Sequence, residues 1–248
     1  MSLLATFTAV RYTPRRAAWG ALHMATQRPL LWRTPGLRFS RLMGSGAGIG
    51  FSAVPDPLLW TLFAVWESEA DWDRFRDRSP VMRQYAARGE ERYTLRLRPL
   101  SAHGRWGGQA PFGEPAEKAA PDTPVVVLTR ASIRLSRAAR FWSRVHPVDE
   151  TLRGHPDLLL TFGVGEIPWL RQATLSVWRS AEAMRAWAYR TPQHAEVVRR
   201  TRAEGWYSEE MFARFRLLGT EGTLNGADPL SALSVPVLPR LTPHPAPP

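Results

Sequence analysis

The segment Val177-Trp-Arg-Ser-Ala-Glu-Ala-Met-Arg-Ala-Trp-Ala-Tyr-Arg-Thr-Pro192 organises the chain, because a version of it occurs earlier. The earlier copy begins at Val65-Trp-Glu-Ser68 and ends at Ser79-Pro80, at a constant spacing of 112 residues. Each copy starts with an apolar run of strand length, and helix-forming residues follow the serine. One module, a strand followed by a helix, is therefore used twice.

A second helix is predicted to start at Pro192, because proline suits the first helical position and Thr191 can cap it. His194 falls in the first turn of this helix, on the face that carries Val197 and Thr201. The helix N-terminus disfavours positive charge, so the imidazole should stay neutral, which is the form that binds a metal.

The alternative to a metal ligand is that His194 is a structural core residue, hydrogen-bonded to a carbonyl group. The repeat adds one fact to this choice, since the position that matches His194 in the first copy is Met82. If the protein holds a metal or a haem, only the second copy therefore offers an imidazole for it.

The repeat extends beyond the central module in both directions. Upstream, Ala5–Trp19 resembles Val127–Trp142, and apolar runs at 93–100 and 211–218 close the two halves. Each half then has the order strand, helix, strand, strand, helix, strand. The predicted fold is α+β, with two ferredoxin-like (βαββαβ) halves that pair as a dimeric α/β-barrel-type fold and leave an apolar cavity between sheet and helices.

Four segments follow from this division. Residues 1–100 form the first half and 124–220 the second half, which carries the candidate metal or haem site. The glycine- and proline-rich residues 101–123 are predicted to be an inter-domain linker, with Trp106 and Phe112 packing back on the domains. Residues 221–248 are predicted to be a disordered tail, because prolines are frequent after Ser234.

The chain is strongly basic, with a formal net charge of +11 and a sequence pI near 11.2. Such a charge can favour nucleic acid, an anionic membrane or an acidic partner. The arginines are scattered, however, and no zinc-finger spacing, helix-turn-helix pair or RNA-binding aromatic motif is recognisable. We therefore expect no nucleic-acid partner.

The chain contains no cysteine, which excludes disulfides, thiolate ligands, iron–sulfur clusters and cysteine-ligated haem. A membrane-spanning helix needs about 18 consecutive apolar residues, and no apolar run in the chain approaches this length. Near the N-terminus apolar and polar residues alternate in the manner of a strand. We expect a cytoplasmic protein. Peripheral contact with a membrane is an alternative role for the eleven tryptophans, which are also ordinary core residues.

The glycine-rich segment Gly44-Ser-Gly-Ala-Gly-Ile-Gly50 does not have the spacing or context of a nucleotide-binding loop. Gly163-Val-Gly165 occupies the same place in the second half. Both segments are predicted to connect two strands. A functional alternative is that their N–H groups approach an anionic group such as a haem propionate.

Several motifs in one order resemble a known family. They are Gly44–Phe51, Gly104-Arg-Trp-Gly-Gly-Gln-Ala-Pro-Phe112, Leu128-Thr-Arg-Ala131, Phe162-Gly-Val-Gly-Glu-Ile-Pro168 and Ala213-Arg-Phe-Arg-Leu-Leu-Gly-Thr220. Together they resemble the spheroidene monooxygenases, the acyclic carotenoid ketolases, over most of the chain up to about Pro229. The resemblance implies a haem-containing enzyme that oxidises an acyclic carotenoid to a ketone with molecular oxygen and reduced ferredoxin.

The resemblance also implies roles for individual residues. Pro192 and His194 match a Pro-His pair of the family, which makes His194 the expected axial ligand of the haem. In related haem-degrading barrels the ligand lies about one turn further along the helix, where this chain has Val198. Arg130 is expected to pair with a propionate or to lie over the distal face, and a surface salt bridge is its alternative.

An apolar tunnel is expected for the carotenoid. Trp178 is expected to contact the cofactor, and the candidates for the substrate pocket are Phe162, Trp187, Trp206 and Phe215. For each of these aromatic residues, ordinary core packing is the alternative.

Three hypotheses about function follow. The first is a haem-dependent carotenoid monooxygenase, and the second is a haem- or carotenoid-binding barrel without oxygenase activity. The third is a cofactor-free monooxygenase or dimerisation module of the same fold. A hydrolase has little support, because no catalytic Ser/His/Asp set can be placed.

Overall fold

Eight antiparallel strands close into one barrel in the order β1-β3-β2-β6-β7-β5-β8-β4. This computed structural model describes residues 3–48, 52, 54–113 and 120–233, with the backbone alone at 145–149 and 193–194. The strands are β1 (Leu4–Arg11), β2 (Leu37–Gly46), β3 (Pro55–Trp66), β4 (Glu91–Gly104), β5 (Val125–Ile133), β6 (Leu158–Ile167), β7 (Arg171–Trp178) and β8 (Tyr207–Gly222). The predicted α+β class and the barrel are confirmed, and the barrel closes within one chain.

The helices lie in the predicted places between the strands. They are α1 (Ala17–Thr26), α2 (Arg28–Trp32), α3 (Glu69–Arg78), α4 (Pro80–Arg88), α5 (Ala138–Leu152), α6 (Ala181–Arg190) and α7 (Pro192–Glu204). Ser68 and Ser180 cap the equivalent helices α3 and α6, since their hydroxyls accept the backbone N–H of Asp71 and Ala183 at 3.2 and 3.0 Å. None of the described helices combines the length and apolar character needed to cross a membrane.

Equivalent residues of the two halves meet at both seams of the barrel. Gly44 on β2 pairs with Gly165 on β6. On their other sides Gly44 pairs with Trp60 and Gly165 pairs with Gln172, and Trp60 and Gln172 are separated by the repeat spacing of 112 residues. At the other seam Arg98 on β4 pairs with Arg216 on β8. The repeat seen in the sequence therefore corresponds to an approximate two-fold relation in the structure.

The glycine-rich segments form this first seam. Gly44–Gly46 end strand β2 and Gly163–Gly165 lie within β6, so these residues are strand residues, which corrects the prediction of a simple connection. The later part of the first segment, residues 49–51, lies outside the described residues.

Each half ends in an ordered loop that closes one end of the barrel. Trp106 and Phe112 in the first loop and Leu230 in the second loop are at most 3% exposed and belong to the barrel core. The packing of Trp106 and Phe112 confirms one prediction. The rest of the domain division needs correction, because 101–104 belong to β4 and 221–222 to β8, and 223–233 are ordered. Residues 234–248 of the predicted tail lie outside the described residues.

Glycine is required where these two loops begin. Gly104 and Gly222 have φ values of +90° and +88°. A Cβ atom would lie 2.2 Å from the Glu210 carbonyl oxygen at Gly104, and 1.9 Å from the Arg92 carbonyl oxygen at Gly222. A side chain at either position would therefore push the loop away from the barrel end.

Candidate active site

The outer faces of the two halves, which lie under the helices, differ in one central row of paired residues. In the first half this row consists of Leu42, Leu62, Thr8 and Thr94, all buried. In the second half the equivalent row consists of Gly163, Thr174, Thr129 and Phe212. On β6 and β7 two leucine side chains are thus replaced by a glycine and a threonine, which lowers this part of the floor, whereas Thr94 corresponds to the larger Phe212 on β8.

The packing of the helices against the sheet also differs between the two halves. In the first half one continuous cluster of buried residues joins sheet and helices, and it includes Trp72, Met82 and Tyr85. Among the side chains that the structure describes, the second half has two separate small clusters instead, one around Trp178 and Met184 and the other around Phe141, Ile133 and Trp206.

Hydroxyl-bearing strand residues lie between these two small clusters. They are only half-buried: Thr129, Thr161, Thr174 and Ser176. Central strand residues under a helical layer can be solvent-accessible only if the helices stand away from the sheet. We call the space between this floor and helices α5–α7 the cleft.

Aromatic residues line one end of the cleft. The rings of Trp178 and Trp187 lie 5.4 Å apart, and His155 contacts Trp178 edge to face at 5.4 Å. The indole N–H of Trp187 donates to the Thr151 hydroxyl at 3.1 Å. A cavity of about 340 Å³ opens here, lined by Thr151, His155, Asp157, Ala183, Ala186, Trp187, Arg190 and Thr191.

This cavity borders the start of helix α7. The helix begins at Pro192, as the sequence predicts, and the backbone of His194 lies in its first turn. The side chain of His194 lies outside the part of the chain that the structure describes. Among the described residues, no group of three or more histidine, aspartate and glutamate side chains could hold a metal ion.

Arg130 lies on the opposite side of the sheet from the cleft. It is 2% exposed, forms an ion pair with Glu209, and has its other terminal nitrogen 3.6 Å from Glu166. The Trp106 indole and Arg41 also bind Glu166, at 2.7 and 3.1 Å. The side chain of Arg130 points into the barrel, so a cofactor bound in the cleft would lie on the other side of the sheet from it.

Glu209 ties this buried network to the loop that closes the barrel end. Burial alone would raise the pKa of its carboxyl group, but hydrogen bonds from the backbone of Gly108 and Gly107 and the charge of Arg130 hold that pKa below its usual value. Glu209 therefore stays ionised and neutralises Arg130. These contacts give the network a structural role, since they join strand residues to the loop that closes the barrel end.

The aromatic residues expected to form one pocket are divided among three places. Phe162 and Phe215 lie inside the barrel, where Phe162 contacts Phe7 at 4.9 Å and Phe215 contacts Phe112 at 5.1 Å. The sheet separates them from Trp187 at one end of the cleft and Trp206 at the other. The four cannot line one pocket, although Trp178 and Trp187 do contact each other.

His23 is a buried residue of the first layer. It is 3% exposed, and the Tyr12 hydroxyl forms a hydrogen bond with its Nδ1 atom at 2.7 Å. Burial, with a smaller effect from the charge of Arg88, lowers the pKa of its imidazole. The first layer thus contains a buried histidine that is part of its packing.

The sequence pattern predicts aromatic residues for the site and not the threonines and serine of the cleft floor. A signal for them exists in the repeat, since Thr174 and Ser176 stand where the first copy has Leu62 and Ala64. His155 carries no comparable signal.

The architecture belongs to a class of α+β barrels that is also found in a solved structure of aldoxime dehydratase. That structure is 12% identical, with a TM-score of 0.58, and the match covers 87% of this chain and 81% of the other. At this level of identity the likeness shows the fold alone. No protein-family profile matches the chain.

Curated relatives identify the family. The chain is 41% identical over 215 residues to spheroidene monooxygenase of Rhodobacter capsulatus, covering 86% of this chain and 89% of the relative. It is 40% identical over 215 residues to that of Rubrivivax gelatinosus, covering 86% and 81%. It is 36% identical over 214 residues to that of Cereibacter sphaeroides, covering 86% of this chain but 65% of that relative. The chain belongs to the spheroidene monooxygenase family, which confirms the family resemblance and the expected enzyme class, an oxidoreductase of the carotenoid monooxygenase type.

Proposed function

We propose that this protein is a haem-dependent monooxygenase that oxidises an acyclic, spheroidene-like carotenoid to its keto form. It uses molecular oxygen and takes electrons from reduced ferredoxin. The names of three relatives support the substrate class and the reaction. The observation that carries the location of the site is the cleft, because the equivalent layer of the first half is filled with buried side chains.

The residues of the cleft suit a flat, largely apolar cofactor. Its floor has small side chains at Thr174 and Ser176, and Trp178 and Trp187 provide an aromatic wall at one end. His194 would supply the nitrogen ligand to the iron, because the N-terminus of α7 favours its neutral imidazole. When bound, haem supplies the activation of oxygen, and the protein supplies one ligand and a dry, shaped cavity.

Arg130 is not part of this proposal, because the sheet lies between its side chain and the cleft.

The substrate must also reach the cleft. A carotenoid is lipid-soluble, so we propose a cytoplasmic protein in peripheral contact with a membrane. The exposed side chains of Trp169, which is 53% exposed, and Ile167, which is 40% exposed, are candidate anchors.

We also infer that the barrel consists of two ferredoxin-like halves. The strand order supports this inference, since it is β4-β1-β3-β2 in one half and β8-β5-β7-β6 in the other. The pairing of Gly44 with Gly165 and of Arg98 with Arg216 adds a two-fold relation between the halves.

Two measurements test the proposed function. Protein produced with sufficient haem should show a Soret band that His194→Ala abolishes, whereas the matched variant His103→Ala, at an exposed strand position, should keep it. Adding acyclic carotenoid, reduced ferredoxin and oxygen should then yield the ketone. A wild-type protein without a Soret band that still forms ketone would favour a cofactor-free monooxygenase. A Soret band without ketone would favour a binding protein.

A further inference from the structure

A second cavity, of about 260 Å³, lies where the two halves meet at the β2–β6 seam. One row of paired residues crosses its floor on the outer face of the barrel: Trp60, Gly44, Gly165 and Gln172. The two central positions are glycines, so the floor is low between Trp60 and Gln172. Trp169 and Met24 also line this cavity, which we call the seam pocket.

The fold does not require glycine at position 44. Gly44 is not among the residues with positive φ, and a Cβ atom there would lie 3.6 Å from the Trp60 ring, an ordinary contact. Gly165 is different, because a Cβ atom would lie 2.8 Å from the Gln172 amide nitrogen and 3.0 Å from the Arg171 carbonyl oxygen. The backbone would therefore accept a side chain at position 44, and glycine there leaves the space above the strand open.

The polar groups around the seam pocket are already bound to protein partners. Asp56 lies 3.5 Å from Arg11, and Glu166 lies 3.1 Å from Arg41. The Trp60 indole N–H donates to a backbone carbonyl at 2.8 Å. A ligand in this pocket thus finds paired charges and aromatic surface, which suits an apolar molecule better than an ion.

The seam pocket and the floor of the cleft lie on the same outer face of strands β6 and β7. Gln172, Thr174 and Ser176 alternate along β7 and so point to the same outer face, and Gly165 and Gly163 do the same on β6. From Gln172 to Trp178 this strip runs for roughly 20 Å at about 3.3 Å per residue. An extended molecule seated at the seam could therefore direct one end along this strip into the cleft.

We propose that the seam pocket binds the polyene chain of the carotenoid and directs its end group into the cleft. This inference rests on the proposed function for the identity of the ligand. The geometry fits an extended apolar chain, because the floor is low and long and the carboxylates around the seam pocket are paired with arginines of the protein.

The test fills the pocket from its floor. Gly44→Leu should raise the KM for the acyclic carotenoid about tenfold or more, with the Soret band and the melting temperature unchanged. Gly44→Ala, which makes only ordinary contacts, should give a smaller rise in the same direction and still fold. The matched control Ser101→Val adds an apolar side chain at an exposed position of β4 and should leave KM unchanged.

An unchanged KM in a folded Gly44→Leu or Gly44→Ala protein overturns the inference. If the wild-type protein makes no ketone, the proposed function fails separately, and binding of the fluorescent polyene parinaric acid then tests the pocket. A dissociation constant about tenfold higher in Gly44→Leu supports the pocket. Equal affinity for both proteins overturns it.

Discussion

The two helix-covered layers of this barrel have the same plan and opposite packing. In the first half Leu62 and Met82 are at most 2% exposed and belong to a single cluster between sheet and helices. In the second half the matching positions are Thr174 and His194, and the buried side chains described there form two clusters. A duplicated fold can thus keep one copy for stability, while the other copy gives up side-chain volume for a binding site.

Exchanging residues between the two layers tests this comparison most strongly. Leu62→Thr should lower the free energy of unfolding by about 3 kcal/mol, because it removes buried apolar volume and buries a hydroxyl. The reciprocal variant Thr174→Leu should change it by less than about 1 kcal/mol, since the cleft has room for the larger side chain. Urea denaturation measures both.

Thr174→Leu should also reduce the Soret absorbance per molecule, because the added side chain occupies the proposed cofactor space. The contrast between the layers would be disproved if Thr174→Leu destabilised the protein as much as Leu62→Thr does.

A smaller effect is expected inside the barrel, where the two ends also differ. The position equivalent to Arg130 in the first half is Ala9, so the central arginine of the buried network is replaced by an alanine there. Arg130→Met should lower the free energy of unfolding by about 2 kcal/mol, because Glu209 and Glu166 lose a charged partner. The Soret band should keep its position. A displaced Soret band in a protein of unchanged stability would instead place Arg130 at the cofactor.

The smallest effect concerns pH and the buried His23 of the first layer. Its pKa is lowered by burial and by Arg88, so the unfolded chain binds a proton more readily than the folded chain. The stability associated with neutral His23 is therefore present above the unfolded pKa of about 6.5 and is lost as the pH falls towards the folded pKa. His23→Gln should flatten the dependence of the unfolding free energy on pH in this range.

The comparison that matters is the difference between the two proteins, because other histidines titrate in both. If His23→Gln has the same pH profile as the wild type, His23 is not protected from protonation by the first layer.

Much of the fold could be predicted from the sequence, because its signals are local. The alternation of apolar residues, the serines before α3 and α6, and Pro192 before α7 each act within a few residues. The barrel ends could not be predicted in the same way. Gly104 and Gly222 mark a turn, but only the folded barrel offers the interior that Trp106 and Leu230 fill.

The candidate site was less predictable, for a different physical reason. An aromatic residue such as Phe215 can lie on either face of its strand, and a shift of one residue moves it from the cleft to the barrel interior. The more informative signal was the loss of volume at Thr174 relative to Leu62. That signal requires the two halves to be compared position by position.

The two loops that close the barrel ends exchange partners between the halves. Backbone N–H groups of Gly107 and Gly108 donate to Glu209 of the second half, and those of Asn225 and Gly226 donate to Glu91 of the first half. A fragment containing one half would therefore lack the carboxylate that anchors its own terminal loop. The halves are structural complements of each other, so the chain should unfold as one cooperative unit despite its origin in a repeat.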